Sequence, residues 1–101
     1  MAFGINRGEL QQWKEKVKCG EIAFLTHYWI HPRFDGITTV TKAGCCDVEK
    51  LIEWGRQYGL KEEWIHKREQ YPHFDLIGDT QLEILKKEGQ WKQINRFFEH
   101  K

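Results

Sequence analysis

Serine is missing altogether from this 101-residue chain. A serine nucleophile is therefore excluded, whatever else the fold assembles. Cysteine is scarce: Cys19, Cys45 and Cys46 are odd in number, and two of them are adjacent. Such a set builds neither a disulfide framework nor a C-x-x-C metal knuckle. Cys45 and Cys46 fit small apolar packing near a helix start, since free cysteine is among the most buried residue types. Charge of one sign is also lacking, because the formal net is only +1 although 31% of residues are charged. A protein that coats a polyanion carries a larger positive excess, so direct nucleic-acid binding is not expected. The longest apolar stretch, Ile22 to Ile30, is broken by Thr26 and His27, and a membrane span needs about 20 residues. Met1 to Arg7 contains no apolar signal core. These absences lead to the expectation of a reducing, cytoplasmic setting without membrane association. No Walker or G-x-G-x-x-G pattern occurs either.

What is present is enough apolar material for one core. Hydrophobic residues make up 40% and aromatics 14%, with five tryptophans, which speaks for one folded domain over residues 1–101. A first helix is expected from Arg7 to Cys19, capped by Asn6 with Glu9 in a capping box. Leu10, Trp13 and Val17 form its inward stripe, and Gly20 stops it. Glu21 to Ile30 reads as a strand, and its middle is apolar on both parities, which suggests a place inside the sheet. His31 to Gly36 reads as a loop. Ile37 to Thr41 is β-branched and reads as a second strand, closed by Lys42-Ala43-Gly44. Asp47 caps a second helix bearing Val48, Leu51, Trp54 and Tyr58, and Gly59 ends it. A short helical turn follows at Leu60–His66, with Trp64 packed beneath the second helix. Pro72 forces an extended start for a third strand, His73 to Ile77. A further helix begins near Asp79 or Thr80, where Thr80 and Glu83 would make another capping box. Trp91, Ile94, Phe97 and Phe98 recur at helical spacing and should dock as a last helix. The order α-β-β-α-β-α-α predicts a small α+β domain, a sheet of about three strands packed by three to four helices.

Three features carry chemistry. His73 and Asp75 flank Phe74 on a strand, so they share a face about 6.6 Å apart and can share a ligand or a proton path. His27 ends a buried strand, with Tyr28 and Trp29 beside it at opposite parity, so one of the two can wall a pocket. His27 and His31 have the i, i+4 spacing of a helical metal pair. On a strand that spacing covers about 13 Å, too far to share a zinc ion whose bonds are about 2.0–2.1 Å. No metal site is assigned and no cofactor is named. The third feature is the polar run Thr39, Thr41 and Lys42, whose hydroxyls and ammonium suit a phosphate group.

The runs Gly20–Trp29, Tyr58–His66 and Tyr71–Leu76 resemble the YneQ-like proteins of Bacillus-type bacteria, over nearly the whole chain. More distantly, Gly59-Leu60, Trp64 and His73-Phe74-Asp75 are similar to a bacterial and phage domain of unknown function with an H-[YF]-D motif. In that wider group one strand ends in acidic residues and the next carries W-x-H. Here those places hold His27-Tyr28 and Lys42. The resemblance implies fold and site position rather than a reaction.

The reading that follows is a ligand site for a nucleotide or another phosphoester. His73, Asp75 and His27 would be its catalytic groups, should it catalyse. Lys42, Thr41, Trp29, Tyr28 and Arg33 would bind the ligand, and all would converge at strand ends. His73 suits acid or base work near neutrality. Asp75 would orient it or hold a divalent ion. The alternative is a non-catalytic interaction module, homo-oligomeric through the aromatic C-terminal segment.

Overall fold

The computed structural model describes residues 5–30, 37–67 and 70–98. Its elements are α1 (Arg7–Lys18), β1 (Ala23–Ile30), β2 (Ile37–Gly44), α2 (Val48–Arg56), β3 (His73–Leu76), α3 (Gly78–Lys87) and α4 (Trp91–Phe97), with a 3-10 turn at Glu62–Trp64. Three strands form an antiparallel sheet in the order β1-β2-β3. This is the small single α+β domain that the sequence indicates. Among the described residues, no helix is long and apolar enough to cross a membrane.

Local chemistry sets the helix starts. Asn6 Oδ1 accepts from the Glu9 N–H at 2.8 Å, and the Glu9 carboxylate accepts from the Asn6 N–H at 3.0 Å. That reciprocal pair satisfies two donors the helix leaves open. Asp47 caps α2 by accepting from the Lys50 N–H. The capping box expected at Thr80 does not form. Helix α3 starts three residues earlier than that box requires, with Ile77 at the cap position, and places Thr80 inside its first turn.

The strand register divides the sheet into two faces. Ala23 pairs with Gly44, Leu25 with Lys42 and His27 with Val40, while Lys42 also pairs with Asp75 and Gly44 with His73. Paired residues share a face, so Ala23, Leu25, His27, Trp29, Val40, Lys42, Gly44, His73 and Asp75 lie on one side. Phe24, Thr26, Tyr28, Thr39, Thr41, Ala43, Phe74 and Leu76 lie on the other.

Helix α1 covers the Ala23–Gly44–His73 end of the first face. The Trp13 indole donates to the Ala23 carbonyl at 3.0 Å, and a Cβ placed on Gly44 would come within 2.7 Å of the Trp13 ring. Only glycine leaves room for the indole to lie this close to the strand. Helices α2, α3 and α4 cover the second face. There Gly55 performs the same service, since a Cβ would meet the Phe74 ring at 2.7 Å. Trp54 packs on Phe24 and Phe74, and Phe97 meets Tyr28 edge-on at 4.9 Å.

Strand β1 is an edge strand, contrary to the central place expected for it. Its burial on both faces comes from α1 on one side and α4 on the other, not from two flanking strands. The free edge is closed by a side chain. Gln93 Oε1 accepts from the Thr26 N–H at 2.8 Å, and Gln93 Nε2 donates to the Phe24 carbonyl at 3.0 Å. One amide thus imitates a neighbouring strand and leaves less edge for pairing with another chain. The Arg96–Glu9 ion pair ties α4 to α1 across that edge. Arg96 and the Asn6 backbone hold the Glu9 carboxyl below the usual carboxylate range.

The tryptophans differ in their fates. Trp13 and Trp54 are buried as their helix stripes imply. Trp64 is 51% exposed instead of packing under α2, with the Lys61 ammonium 5.7 Å from its ring centroid. The short turn that carries it sends Ile65 into the core in its place. Cys45 is fully buried at the start of α2, which pushes its thiol pKa up, while Cys46 is exposed.

Candidate functional site

Strand β3 begins where Pro72 holds the chain extended. Its first residue, His73, also bridges to His66: the two pair antiparallel, with the His66 N–H donating to the His73 carbonyl at 2.9 Å. A backbone hydrogen bond therefore sets the two imidazoles side by side. Their rings stack at 5.0 Å between centroids, 22° from parallel. Asp75 lies two residues along the same strand and face, so its carboxylate meets both rings. His66 Nε2 is 2.9 Å from Asp75 Oδ2, and His73 Nε2 is 3.5 Å from Asp75 Oδ1. One nitrogen from each histidine and one carboxylate oxygen all lie within 4.8 Å of one another.

The two histidines have different surroundings. His73 is 2% exposed, walled by the Trp13 ring edge at 6.1 Å, and its Nδ1 lies 2.8 Å from the Tyr71 carbonyl. A carbonyl only accepts, so Nδ1 carries a hydrogen and, in the neutral ring, Nε2 carries the lone pair. Tyr71 is held in turn against Trp13, with the Lys14 and Lys18 ammonium groups over its ring. The His66 side chain is 52% exposed and that of Asp75 is 39% exposed. One ligand atom is thus anchored, and two can move toward it.

Lys42 is the cross-strand partner of Asp75 and is half-buried. Among the described residues it makes no ion pair. It lies within the strand, because β2 runs on to Gly44 rather than stopping at Thr41. His27 is buried one diagonal step away. Its Nδ1 bonds the Tyr28 carbonyl at 2.9 Å, whereas Nε2 has no partner among the described residues. Burial pushes the His27 pKa down. Nearby Lys42 works in the same direction, and the Tyr28 bond and Asp75 work against it.

The register therefore brings His27, Lys42, His73, Asp75 and Trp29 onto one face, with His73 at the start of β3, Trp29 near the end of β1, and His27, Lys42 and Asp75 inside their strands. Thr41 and Tyr28 are turned to the opposite face. Thr41 is fully buried there, bonded to Thr26 at 2.7 Å and to Gln81 at 2.7 Å, and Tyr28 packs on Phe97. Adjacent strand residues point to opposite faces, which separates Thr41 from Lys42. Arg33 and His31 lie outside the described residues. His66 is the residue that sequence reasoning passed over. The signal available was seven residues of separation from His73, enough for a tight return, but nothing in the intervening charged segment announces a bridge. Of the C-terminal aromatic segment, Ile94 and Phe97 are buried in the fold, and Trp91 is 53% exposed.

Comparison with known proteins gives a close relative. The chain is 59% identical over 97 residues to the uncharacterised protein YneQ of Bacillus subtilis, covering 96% of this chain and 98% of that one. No protein-family model matches. No solved structure matches either.

Proposed function

This chain belongs to the YneQ family, and we propose that its α1-facing sheet surface binds a phosphate-bearing ligand, a nucleotide or another phosphoester. The observation that carries this reading is the placement of Lys42. Lys42, a half-buried residue that makes no ion pair among the described residues, stands on the same face as His27, His73, Asp75 and Trp29. A buried or half-buried cation is stabilised by a charge-bearing partner, and a phosphate supplies one with several acceptor oxygens. His73, its tautomer set by Tyr71, can exchange a proton with a bound phosphoester. Trp29 offers an aromatic surface for a base.

Thermal unfolding with nucleotides, sugar phosphates and inorganic phosphate tests the reading. A ligand at a hundred times its Kd stabilises by about 2.7 kcal/mol, which for a domain of this size raises Tm by roughly 10 °C or more. The Lys42→Ala variant should lose most of that rise. Absence of any rise, or a rise that Lys42→Ala retains in full, refutes the proposal.

A further inference from the structure

We propose that His66, His73 and Asp75 form a binding site for a divalent transition metal of the zinc type, two imidazoles and one carboxylate with open positions toward solvent. The proposal deepens the ligand-site reading and rests on it in one respect: the phosphate oxygen would take an open position on the ion.

The donor geometry is the first argument. A tetrahedral zinc ion with bonds of about 2.0–2.1 Å keeps its ligand atoms roughly 3.3 Å apart. The separations from Asp75 are 2.9 Å to His66 and 3.5 Å to His73. All three donor atoms lie within 4.8 Å of one another, so the two solvent-reaching side chains close by about 1.5 Å at most to meet the ion.

The second argument concerns what lies behind the ligands. Metal-bound histidines usually donate their other ring N–H to a carbonyl or carboxylate, which fixes the tautomer. His73 does this through Nδ1 to Tyr71. Its Nε2 lone pair, in the neutral ring, and the Asp75 carboxylate, which also meets His66 Nε2 at 2.9 Å, are metal-ligand atoms set on one region. The backbone holds the set together, through the His66–His73 bridge and the two-residue repeat of β3.

The third argument is ligand chemistry. Two imidazoles and a carboxylate suit zinc and its first-row neighbours, whereas magnesium and calcium select oxygen ligands. With three protein ligands the ion keeps at least one open position, and the exposure of His66 and Asp75 gives it a route in.

The test uses the full chain, stripped of metal. Zinc titrated by calorimetry should bind at one equivalent. His66→Ala and Asp75→Asn, both at solvent-reaching positions, should each weaken binding by more than the roughly 10–100-fold that an outer-shell partner costs. Cobalt should give a ligand-field spectrum without a thiolate charge-transfer band. Nitrogen chemical shifts of the wild-type histidines should show both Nε2 atoms responding to zinc, a readout that needs no variant to fold. No zinc binding, unchanged binding in both variants, a thiolate band or silent histidine nitrogens overturns the metal site. Inorganic phosphate separates the two readings. If it leaves the cobalt spectrum and Tm unchanged while zinc still binds, the metal site stands and the phosphate reading falls. If phosphate binds through Lys42 but zinc does not bind, the metal site falls alone.

Discussion

The two faces of this sheet differ in how they bury polar groups. On the face under α2, α3 and α4 the buried Thr26, Thr41 and Gln81 are joined in one hydrogen-bonded chain, and the Trp54 indole N–H is the buried side-chain polar atom there without a partner among the described residues. Gln81 Nε2 donates to Thr41 Oγ1 at 2.7 Å, Thr41 meets Thr26 at 2.7 Å, and Thr26 Oγ1 donates to Gln93 Oε1 at 2.6 Å. Thr39 adds a bond to Gln81 at 3.2 Å. A chain closed in this way has nothing left to offer a ligand, and it fixes how α3 and α4 seat on the sheet. The α1 face differs. Its His27 Nε2 has no partner among the described residues, its Lys42 has no counter-ion among them, and two histidines converge on one carboxylate. Satisfied polar groups mark architecture. Polar and charged groups gathered on one face and partly open to solvent have chemistry left for a ligand.

The contrast breaks most visibly in the core of the closed face. Phe74 is fully buried against Gly55 and Trp54, so Phe74→Ala should cost about 3–5 kcal/mol, read by chemical denaturation. Next comes the closed network itself. Thr41→Val keeps the shape but removes the hydroxyl that links Gln81 to Thr26. Leaving such buried groups unpaired should cost about 1–3 kcal/mol. A smaller loss would mean that water or rearranged amides replace the bond, and that this face is less closed than its distances imply.

How much of this was legible beforehand depended on how local each signal is. The Asn6–Glu9 box and the Asp47 cap operate within four residues, and both form as their spacing implies. Thr80 and Glu83 have the same spacing yet make no box. The backbone before them, with Gly78 at φ +66°, starts the helix early. Register is a further step removed. That Thr41 and Lys42 face apart follows from strand periodicity alone, once β2 is known to extend to Gly44. The alignment of Lys42 with Asp75 depends on pairing between segments more than thirty residues apart, which periodicity does not reveal. His66 joins the site through a single bridge after a 3-10 turn, and no residue pattern encodes that. The edge position of β1 was hidden because Gln93 and α4 bury it as thoroughly as a strand would.

Acid sharpens the comparison at His27. Its pKa is lowered in the fold from an ordinary value of 6.5, chiefly by burial. The unfolded chain therefore takes up the proton first, and the native state is penalised as pH falls through and below about 6.5. Stability contributed by the neutral ring is present above that value and lost beneath it. The wild type should lose stability between pH 7.5 and pH 5 more steeply than His27→Gln, which cannot be protonated. Urea melts at both pH values, taken as the difference between the two proteins, cancel the contributions of the other histidines. Equal slopes would show that His27 is hydrated in the fold and does not belong to a desolvated site.

The smallest expected change in stability is the most diagnostic. Asp75 reaches solvent, and its contacts on this face are to the two histidines. Exposed ion pairs contribute about 0–1 kcal/mol, so Asp75→Asn should shift stability by no more than that, against the larger loss for Thr41→Val across the sheet. A residue that a fold barely needs, on a strand whose neighbours Phe74 and Leu76 are buried core, has its position set by the strand and its chemistry left free for binding. Denaturation curves of Asp75→Asn in metal-free buffer decide the point. A loss approaching that of Thr41→Val would make the His-Asp-His cluster a structural clasp pinning residue 66 to β3, and the difference between the two faces would then be one of degree.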